Sequence, residues 1–190
     1  MRPIVAFQGE TGAFSEKAAE QLVPGDITLF PCASFDATVR AVVNGHADFA
    51  AIPVKNLIAG PVYDALSAIA QFSSLEHVGE MVLPIHLAML GLPGARVEDI
   101  TEVLSHGIAL QQCNLFLGRH PGIRTVEAHD TAGAARMVGI RRDPSVAAIA
   151  APWAAKHYGL TILAEGLEDR PDNVTTFTLI RRRGAIIEGR

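Results

Sequence analysis

Polar side chains follow several predicted strands of this chain, at turns where a small anionic molecule could bind. Ligands of parallel α/β sheets lie beyond the carboxyl ends of strands, beside helix N-termini. A further polar stretch opens the last predicted strand, where Asn173 precedes Thr175 and Thr176. Hydroxyls and amides of this kind can donate hydrogen bonds to carboxylates or to a departing oxygen. The turns with such side chains are residues 9–15, 55–56, 105–112 and 129–131.

The hydroxyl residues also have structural interpretations. Ser15 is placed either to cap a helix or, with the amides of residues 12–14, to bind an anion at the helix start. Thr131 has the same two interpretations, since Asp130 or Thr131 caps the following helix. By β-propensity alone, Thr175 and Thr176 are ordinary β-branched strand residues.

Each of the remaining polar candidate residues also has two interpretations. Asn56 and Gln112 are either surface or capping residues, or amides that donate to a carboxylate without adding charge. His106 either lines a binding site or packs as a structural imidazole. Lys55 is either a solvated residue at a loop tip or a cation for an anionic ligand.

The composition of the chain excludes several classes of function. The chain has 190 residues, 49% hydrophobic and 19% charged, which suits one domain or two small lobes with a sizeable core. Its net charge of -4 argues against a general nucleic-acid binder, which needs a basic face. The sequence has no signal-peptide pattern and no apolar run of about 20 residues, so we expect a cytoplasmic protein without membrane association.

No cofactor is predicted. Cys32 and Cys113 show no metal-ligand spacing and are interpreted as buried thiols in a reducing compartment. Gly9 and Gly12 do not complete a dinucleotide-binding fingerprint, and no Walker-type Gly-Lys-Ser/Thr occurs.

Strands and helices are predicted to alternate, which favours a mostly parallel sheet with helices on both faces. An apolar run over residues 78–92 predicts one strand, and residues 109–119 predict one helix. The other predicted strands cover residues 3–8, 27–30, 48–54, 102–106, 125–128, 147–150, 160–164 and 174–180. The other predicted helices cover residues 16–22, 35–43, 62–72, 132–139 and 152–158.

The motifs in these turns resemble, in order and spacing, those of the prephenate dehydratase family. The family patterns are Gly-x-x-Gly-x-(Phe/Tyr)-Ser, Ile-Glu-Asn-Ser, Ser-His-Pro-Gln-x-x-x-Gln-Cys, Asp-Asp-Thr-Ala-Gly-Ala-Ala, Ala-Ala-x-x-Tyr-Gly-Leu and Asn-x-Thr-Arg-Phe. They correspond to residues 9–15, 54–57, 105–113, 129–135, 154–160 and 173–177. Each motif is weak alone, but together they span nearly the whole chain.

The resemblance implies a bilobal α/β fold of the periplasmic-binding-protein type II-like kind, with two mixed sheets and helices on both faces. Lobe 1 would comprise residues 1–78 plus 162–190, lobe 2 residues 79–161, and the active site would lie in the cleft between them. The chain stops at the last predicted strand, so we expect no C-terminal ACT domain and no feedback control by phenylalanine. Family resemblance favours a homodimer or homotetramer.

The implied activity is that of a carbon–oxygen lyase acting on prephenate or a closely related cyclic carboxylic acid. The small anionic substrate would lose water and carbon dioxide without a cofactor. Thr175 would be the catalytic residue. The predicted substrate-binding residues are Ser15, Lys55, Asn56, His106, Gln112, His129, Thr131, Thr176 and Phe177.

The chain also departs from the family pattern. Lys55 and His129 stand where the family has acids, and Thr176 replaces its arginine. Leu57 replaces a serine, and residues 107–108 are Gly-Ile where the family has Pro-Gln. We hypothesise that Lys55, aided by His129, holds the carboxylate that the arginine serves elsewhere. Such changes favour divergence toward secondary metabolism such as antibiotic biosynthesis.

Two alternatives stay open. One is a prephenate decarboxylase that does not aromatise the ring, and the other is a non-catalytic small-anion-binding protein that retains the bilobal cleft. Residues 187–190, Ile-Glu-Gly-Arg, resemble a protease-recognition sequence and are set apart from function.

Overall fold

A computed structural model describes residues 2–185, and residues 187–190 lie outside that part. The strands are β1 (Ile4–Gln8), β2 (Thr28–Cys32), β3 (Phe49–Asn56), β4 (Gly60–Pro61), β5 (Leu75–Pro84), β6 (Ala88–Gly91), β7 (Glu102–Ser105), β8 (Arg124–Glu127), β9 (Val146–Ala150), β10 (Thr161–Glu165) and β11 (Val174–Arg182). The helices are α1 (Phe14–Leu22), α2 (Phe35–Val43), α3 (Tyr63–Ala70), α4 (Gly107–Gln111), α5 (Asn114–Gly118), α6 (Thr131–Arg141) and α7 (Ala154–Tyr158), with a 3-10 turn at Val97–Asp99.

The first sheet has the strand order β2-β1-β3-β11-β5, with β4 paired to β3. Strand β1 runs parallel to β2 and β3, whereas β11 is antiparallel to both β3 and β5. Its two faces are covered by different helices. Val5 and Ala51 pack with Ala19 of α1, whereas Ala6 and Ile52 pack with residues of α2 and α3.

The second sheet has the order β10-β6-β9-β7-β8. Strand β7 is parallel to β8 and β9, and β6 is antiparallel to both β9 and β10. Helices α6 and α7 cover one face, where Leu104 and Ala148 pack against Ala134, Val138 and Ala154.

Each sheet is the centre of one compact unit. Among residues 2–185, the first unit comprises residues 2–10, Phe14–Pro84 and residues 174–185, and the second comprises Thr11–Ala13 and Ile85–Asn173. The boundaries predicted at 78/79 and 161/162 fall inside β5 and β10. Strand β5 stays with the first unit because it pairs with β11 along its length, and β10 stays with the second because it pairs with β6. No described helix has the length and apolarity that a membrane crossing requires.

Three predictions about the elements need correction. The run at 78–92 forms two strands of different sheets, because β5 ends at Pro84 and β6 begins at Ala88. The helix predicted at 109–119 is split into α4 and α5 at Gln112 and Cys113. The sheets are mixed rather than mostly parallel, because β5, β6, β10 and β11 run antiparallel to their neighbours.

Two helical glycines provide a matched test of packing in the second unit. A Cβ atom at Gly139 of α6 would lie 2.8 Å from the backbone oxygen of Tyr158, whereas one at Gly118 of α5 would meet nothing within 4 Å. We expect Gly139→Ala to lower the free energy of unfolding by about 1–3 kcal/mol despite its better helix propensity. Gly118→Ala should be neutral or stabilising by up to about 1 kcal/mol. Chemical denaturation of both variants measures the contrast, and equal effects would contradict it.

Candidate active site

Asn56, Thr175 and the start of α1 lie at one edge of the first sheet. Helix α1 follows the carboxyl end of β1, and β3 ends at the same edge because it is parallel to β1. Strand β11 is antiparallel to β3, so its first residues lie there too. Thr175 is paired directly with Asn56 in this register.

The side chains of these two residues form a connected hydrogen-bond group. The Asn56 Nδ2 group donates to Thr175 Oγ1 at 2.9 Å and to the Val174 backbone oxygen at 3.1 Å. Its Oδ1 atom accepts from the backbone N–H groups of Ile58 and Ala59 at 3.0 and 2.8 Å. Thr175 is buried at 8% exposure. The threonine hydroxyl is therefore held in place at a strand end.

Ser15 and Phe177, two predicted site residues of the first unit, are both buried. Helix α1 begins at Phe14, so Ser15 lies inside its first turn instead of capping it, and it is buried at 7% exposure. Phe177 packs with Ala18 and Leu83 and is 2% exposed. This burial gives Phe177 a packing role, and its contact with substrate stays a prediction. Its packing anchors β11 beneath α1.

Lys55 and Thr176 share the other face of the same edge. They are direct cross-strand partners between β3 and β11, next to the Asn56–Thr175 pair. Successive side chains of a strand point to opposite faces, so Lys55 and Thr176 project away from the side of Asn56 and Thr175. Lys55 is exposed, and cross-strand neighbours have Cβ atoms about 4.5–5.5 Å apart. The amine therefore emerges beside the position where the family pattern has arginine.

The second unit brings its own predicted residues to one sheet edge. His106 directly follows β7, and His129 and Thr131 follow β8, which is parallel to β7. His106 is the N-cap of α4, and its Nδ1 atom accepts from the Ile108 amide at 3.3 Å. Asp130 caps α6 by accepting from the Gly133 amide at 2.7 Å, so Thr131 is the first helical residue and not the cap.

Gln112 ends α4 and is held by the segment that precedes β11. Its Oε1 atom accepts from Nδ2 of the fully buried Asn173 at 3.1 Å, and its backbone oxygen accepts from the Asp169 amide at 2.7 Å. The Asp169 carboxylate accepts from the amides of Asn114 and Leu115, which begin α5. The break between α4 and α5 is thus stabilised by residues 169–173.

A buried carboxylate supports the same segment. Glu168 accepts hydrogen bonds from the Leu87 amide and from Nδ1 of His86, both at 2.9 Å, and its side chain is 5% exposed. Burial alone would raise the pKa of Glu168, but these hydrogen bonds outweigh it and hold the pKa below its usual range. Burial, followed by the charges of Asp169 and Glu168, raises the pKa of the Cys113 thiol to about 12, which keeps that thiol protonated and unreactive.

Sequence reasoning missed Asn173, Glu168 and Asp169 as supports of the site. The position of Asn173 inside the last family-like motif could have indicated a role, whereas the loop acids show no periodicity or motif. It also missed Tyr158, whose hydroxyl donates to the Thr11 backbone oxygen at 2.6 Å. In the part of the chain that the structure describes, no three His, Cys, Asp or Glu side chains are grouped as a metal ion would require.

The two sheets, each with parallel strands flanked by antiparallel ones, define an α/β protein of two units with polar residues at strand ends. The family model described as prephenate dehydratase matches residues 5–185. The chain therefore belongs to the prephenate dehydratase family.

Similar proteins include arogenate dehydratase 1 of Petunia hybrida, which is 40% identical over 185 residues, covering 96% of this chain and 43% of that protein. A solved prephenate dehydratase from Arthrobacter aurescens, in complex with L-Phe, has a TM-score of 0.87 and 36% identity over 97% of this chain and 62% of its own. A protein titled GqqA, a novel type of quorum quenching acylases, has a TM-score of 0.85 and 35% identity over 97% of this chain and 66% of its own. The chain spans about half the length of the curated relatives it matches.

The hydrogen bonds of Glu168 predict a pH-dependent contribution to stability. A carboxyl whose pKa is lowered on folding stabilises the protein above its unfolded pKa of about 4.3, and this stabilisation is lost as pH falls through the folded value. We expect Glu168→Gln to lower the free energy of unfolding by about 1–3 kcal/mol at pH 7 and by less near pH 3. Denaturation at both pH values measures it. Asp172→Asn, which removes an exposed partner of Arg170, should have little effect, and a pH-independent loss in Glu168→Gln would contradict the prediction.

Proposed function

We propose that this protein is a lyase that removes water and carbon dioxide from prephenate or a closely related cyclic carboxylic acid. The observation that carries this proposal is the Thr175 hydroxyl, held by Asn56 at the edge where α1 begins. It occupies the position of the family's catalytic threonine. Similarity to an arogenate dehydratase and to a prephenate dehydratase supports the reaction class, and makes arogenate the first related acid to test.

Thr175 would assist departure of the ring hydroxyl. The carbon–oxygen bond breaks with its electrons on oxygen, and the electrons of the carbon–carboxylate bond form the new ring double bond as carbon dioxide leaves. The departing hydroxide takes a proton from solvent and becomes water. A hydrogen bond from Thr175 to this oxygen strengthens as negative charge develops, so it lowers the barrier more than it stabilises bound substrate.

Other residues would hold the carboxylates. Ser15 lies in the first turn of α1, whose N-terminus favours an anion. In the second unit His106, Gln112, His129 and Thr131 stay proposed substrate contacts, all at strand or helix ends. Neutral amides and hydroxyls can bind a dianion without the desolvation cost of additional buried charge.

We also propose that Lys55 supplies the positive charge that the family's arginine has at the position of Thr176. The strand register supports this, because an exposed amine directly opposite residue 176 can reach the region that an arginine there would serve. An ammonium is a point charge without the fork geometry of a guanidinium, so the substrate would be held less rigidly. With this altered cation we propose a diverged substrate and a role in secondary metabolism.

Three other functions make different predictions. A non-aromatising decarboxylase would release carbon dioxide but retain the ring hydroxyl, and a binding protein would be stabilised by ligand without turnover. Similarity to the protein titled as a quorum quenching acylase favours a test of amide hydrolysis as well. That chemistry needs a general base beside the nucleophile, whereas the neighbour of Thr175 Oγ1 is the donor amide of Asn56.

Product analysis tests the dehydratase proposal. Incubation with prephenate should yield phenylpyruvate, and incubation with arogenate should yield phenylalanine, each identified by mass spectrometry. Thr175→Ala should reduce kcat by about 100-fold to 1000-fold, because it removes the donor to the leaving oxygen, whereas Thr175→Ser should retain most activity. Retained turnover in Thr175→Ala would remove Thr175 from the mechanism. Both substrates left unchanged by the wild-type protein would refute the substrate assignment.

Charge reversal tests the proposed role of Lys55. Lys55→Glu should raise KM for prephenate by at least about tenfold, because a carboxylate replaces the cation that attracts the substrate anion. Arg182→Glu is the matched control, since it makes the same charge change at the opposite end of β11, about 20 Å from Thr175. An unchanged KM in Lys55→Glu, or an equal rise in both variants, would contradict the role of Lys55.

A further inference from the structure

The amide of Asn56 has its hydrogen-bonding capacity filled by the protein itself. A primary amide offers two N–H donors and two lone pairs on oxygen. Both donors are used by Val174 and Thr175, and the oxygen accepts from Ile58 and Ala59. A substrate carboxylate could bind Asn56 only by displacing one of these bonds.

The orientation of this amide is fixed by its three backbone partners, Val174, Ile58 and Ala59. If its oxygen and nitrogen were exchanged, the oxygen would face the carbonyl of Val174, and the NH₂ group would face the N–H groups of Ile58 and Ala59. Both arrangements set like groups against each other. Asn56 is therefore a donor to Thr175 and cannot accept the threonine proton.

This direction determines what the Thr175 hydroxyl can do. Its oxygen accepts from Asn56, and no acceptor for its proton is found among residues 2–185. A hydroxyl that accepts one hydrogen bond becomes a better donor of its own proton. Threonine is also restricted at χ1, so the hydroxyl has few alternative positions.

We propose that Asn56 is a positioning residue that orients and polarises the Thr175 hydroxyl, rather than a substrate-binding residue as its motif predicted. The inference rests on the proposed dehydratase function for its kinetic consequence, but the hydrogen bond itself can be measured without turnover. Asn56 also joins the hydroxyl to the turn at residues 57–59, because the same side chain anchors that turn.

A double-mutant cycle separates positioning from binding. Asn56→Ala should lower kcat by about 100-fold with KM changed by less than about threefold, because the donor is misdirected while the substrate contacts remain. In the Thr175→Val background the same change should cost less than about threefold in kcat/KM, and in Thr175→Ser it should again cost about 100-fold. Independent losses in all backgrounds, or a raised KM with kcat retained, would show that Asn56 binds substrate.

A second variant of Asn56 preserves the turn at residues 57–59. Asn56→Asp keeps the oxygen that accepts from Ile58 and Ala59 but cannot donate to Thr175, so kcat should again fall by about 100-fold. Asn44→Ala, at the exposed end of α2, is the control and should leave kcat unchanged. Retention of kcat in Asn56→Asp would overturn the proposal.

Amide exchange tests the hydrogen bond independently of the reaction. In ¹⁵N-labelled wild-type protein, the Nδ2 protons of Asn56 should exchange with solvent at least about tenfold more slowly than those of Asn44. Thr175→Val should accelerate the Asn56 exchange. Equal rates for Asn56 and Asn44 would overturn the inference even if the enzyme is active, whereas slow exchange in a protein inactive on both acids would refute only the proposed function.

Discussion

The insertion of β11 between β3 and β5 is the constraint on which the first unit depends. The strand returns across 119 positions of sequence to place Thr175 against Asn56. It also contributes Phe177, Leu179 and Ile180 to the core on both sides of the sheet. Because β11 is paired on both edges, the Thr175 hydroxyl lies at the end of a strand whose backbone groups are used on both sides. Pre-organisation of the donor is thus a consequence of how the core is assembled.

The second unit positions its candidate residues by a different means. His106, Gln112 and Thr131 lie at ends of helices, and the segment preceding β11 holds Gln112, whose Oε1 atom accepts from Nδ2 of Asn173. Glu168 and Asp169 each satisfy amides that have no partner within a strand or helix. Carboxylates in these positions are fixed by their hydrogen bonds and support the fold.

Local patterns predicted the helices other than the split pair α4 and α5, but they did not predict the pairing of the strands. Ser34 and Asp130 cap α2 and α6 because short polar side chains before an apolar helix satisfy its first amides. The run at 78–92 was misjudged because uninterrupted apolar residues do not show where a chain passes from one sheet to another. The packing of Phe177 with Ala18 of α1 was not predicted, because motif membership does not show which face of a strand is covered by a helix. Pairing of β11 with both β3 and β5 is a long-range property, and the family resemblance implied only that the last strand belongs to lobe 1.

Side chains alternate between the two faces of a strand, so the four residues at this sheet edge form two pairs on opposite faces. Asn56 and Lys55 are adjacent on β3, and Thr175 and Thr176 are adjacent on β11, so each pair is divided between two faces of one sheet. Charge can therefore be exchanged at positions 55 and 176 without disturbing the hydrogen bond between residues 56 and 175. A sheet edge built in this way lets residues 55 and 176 change on one face while the pair of residues 56 and 175 stays fixed on the other. Departure from the family pattern at residue 176 is for this reason compatible with retention of its chemistry at residue 175.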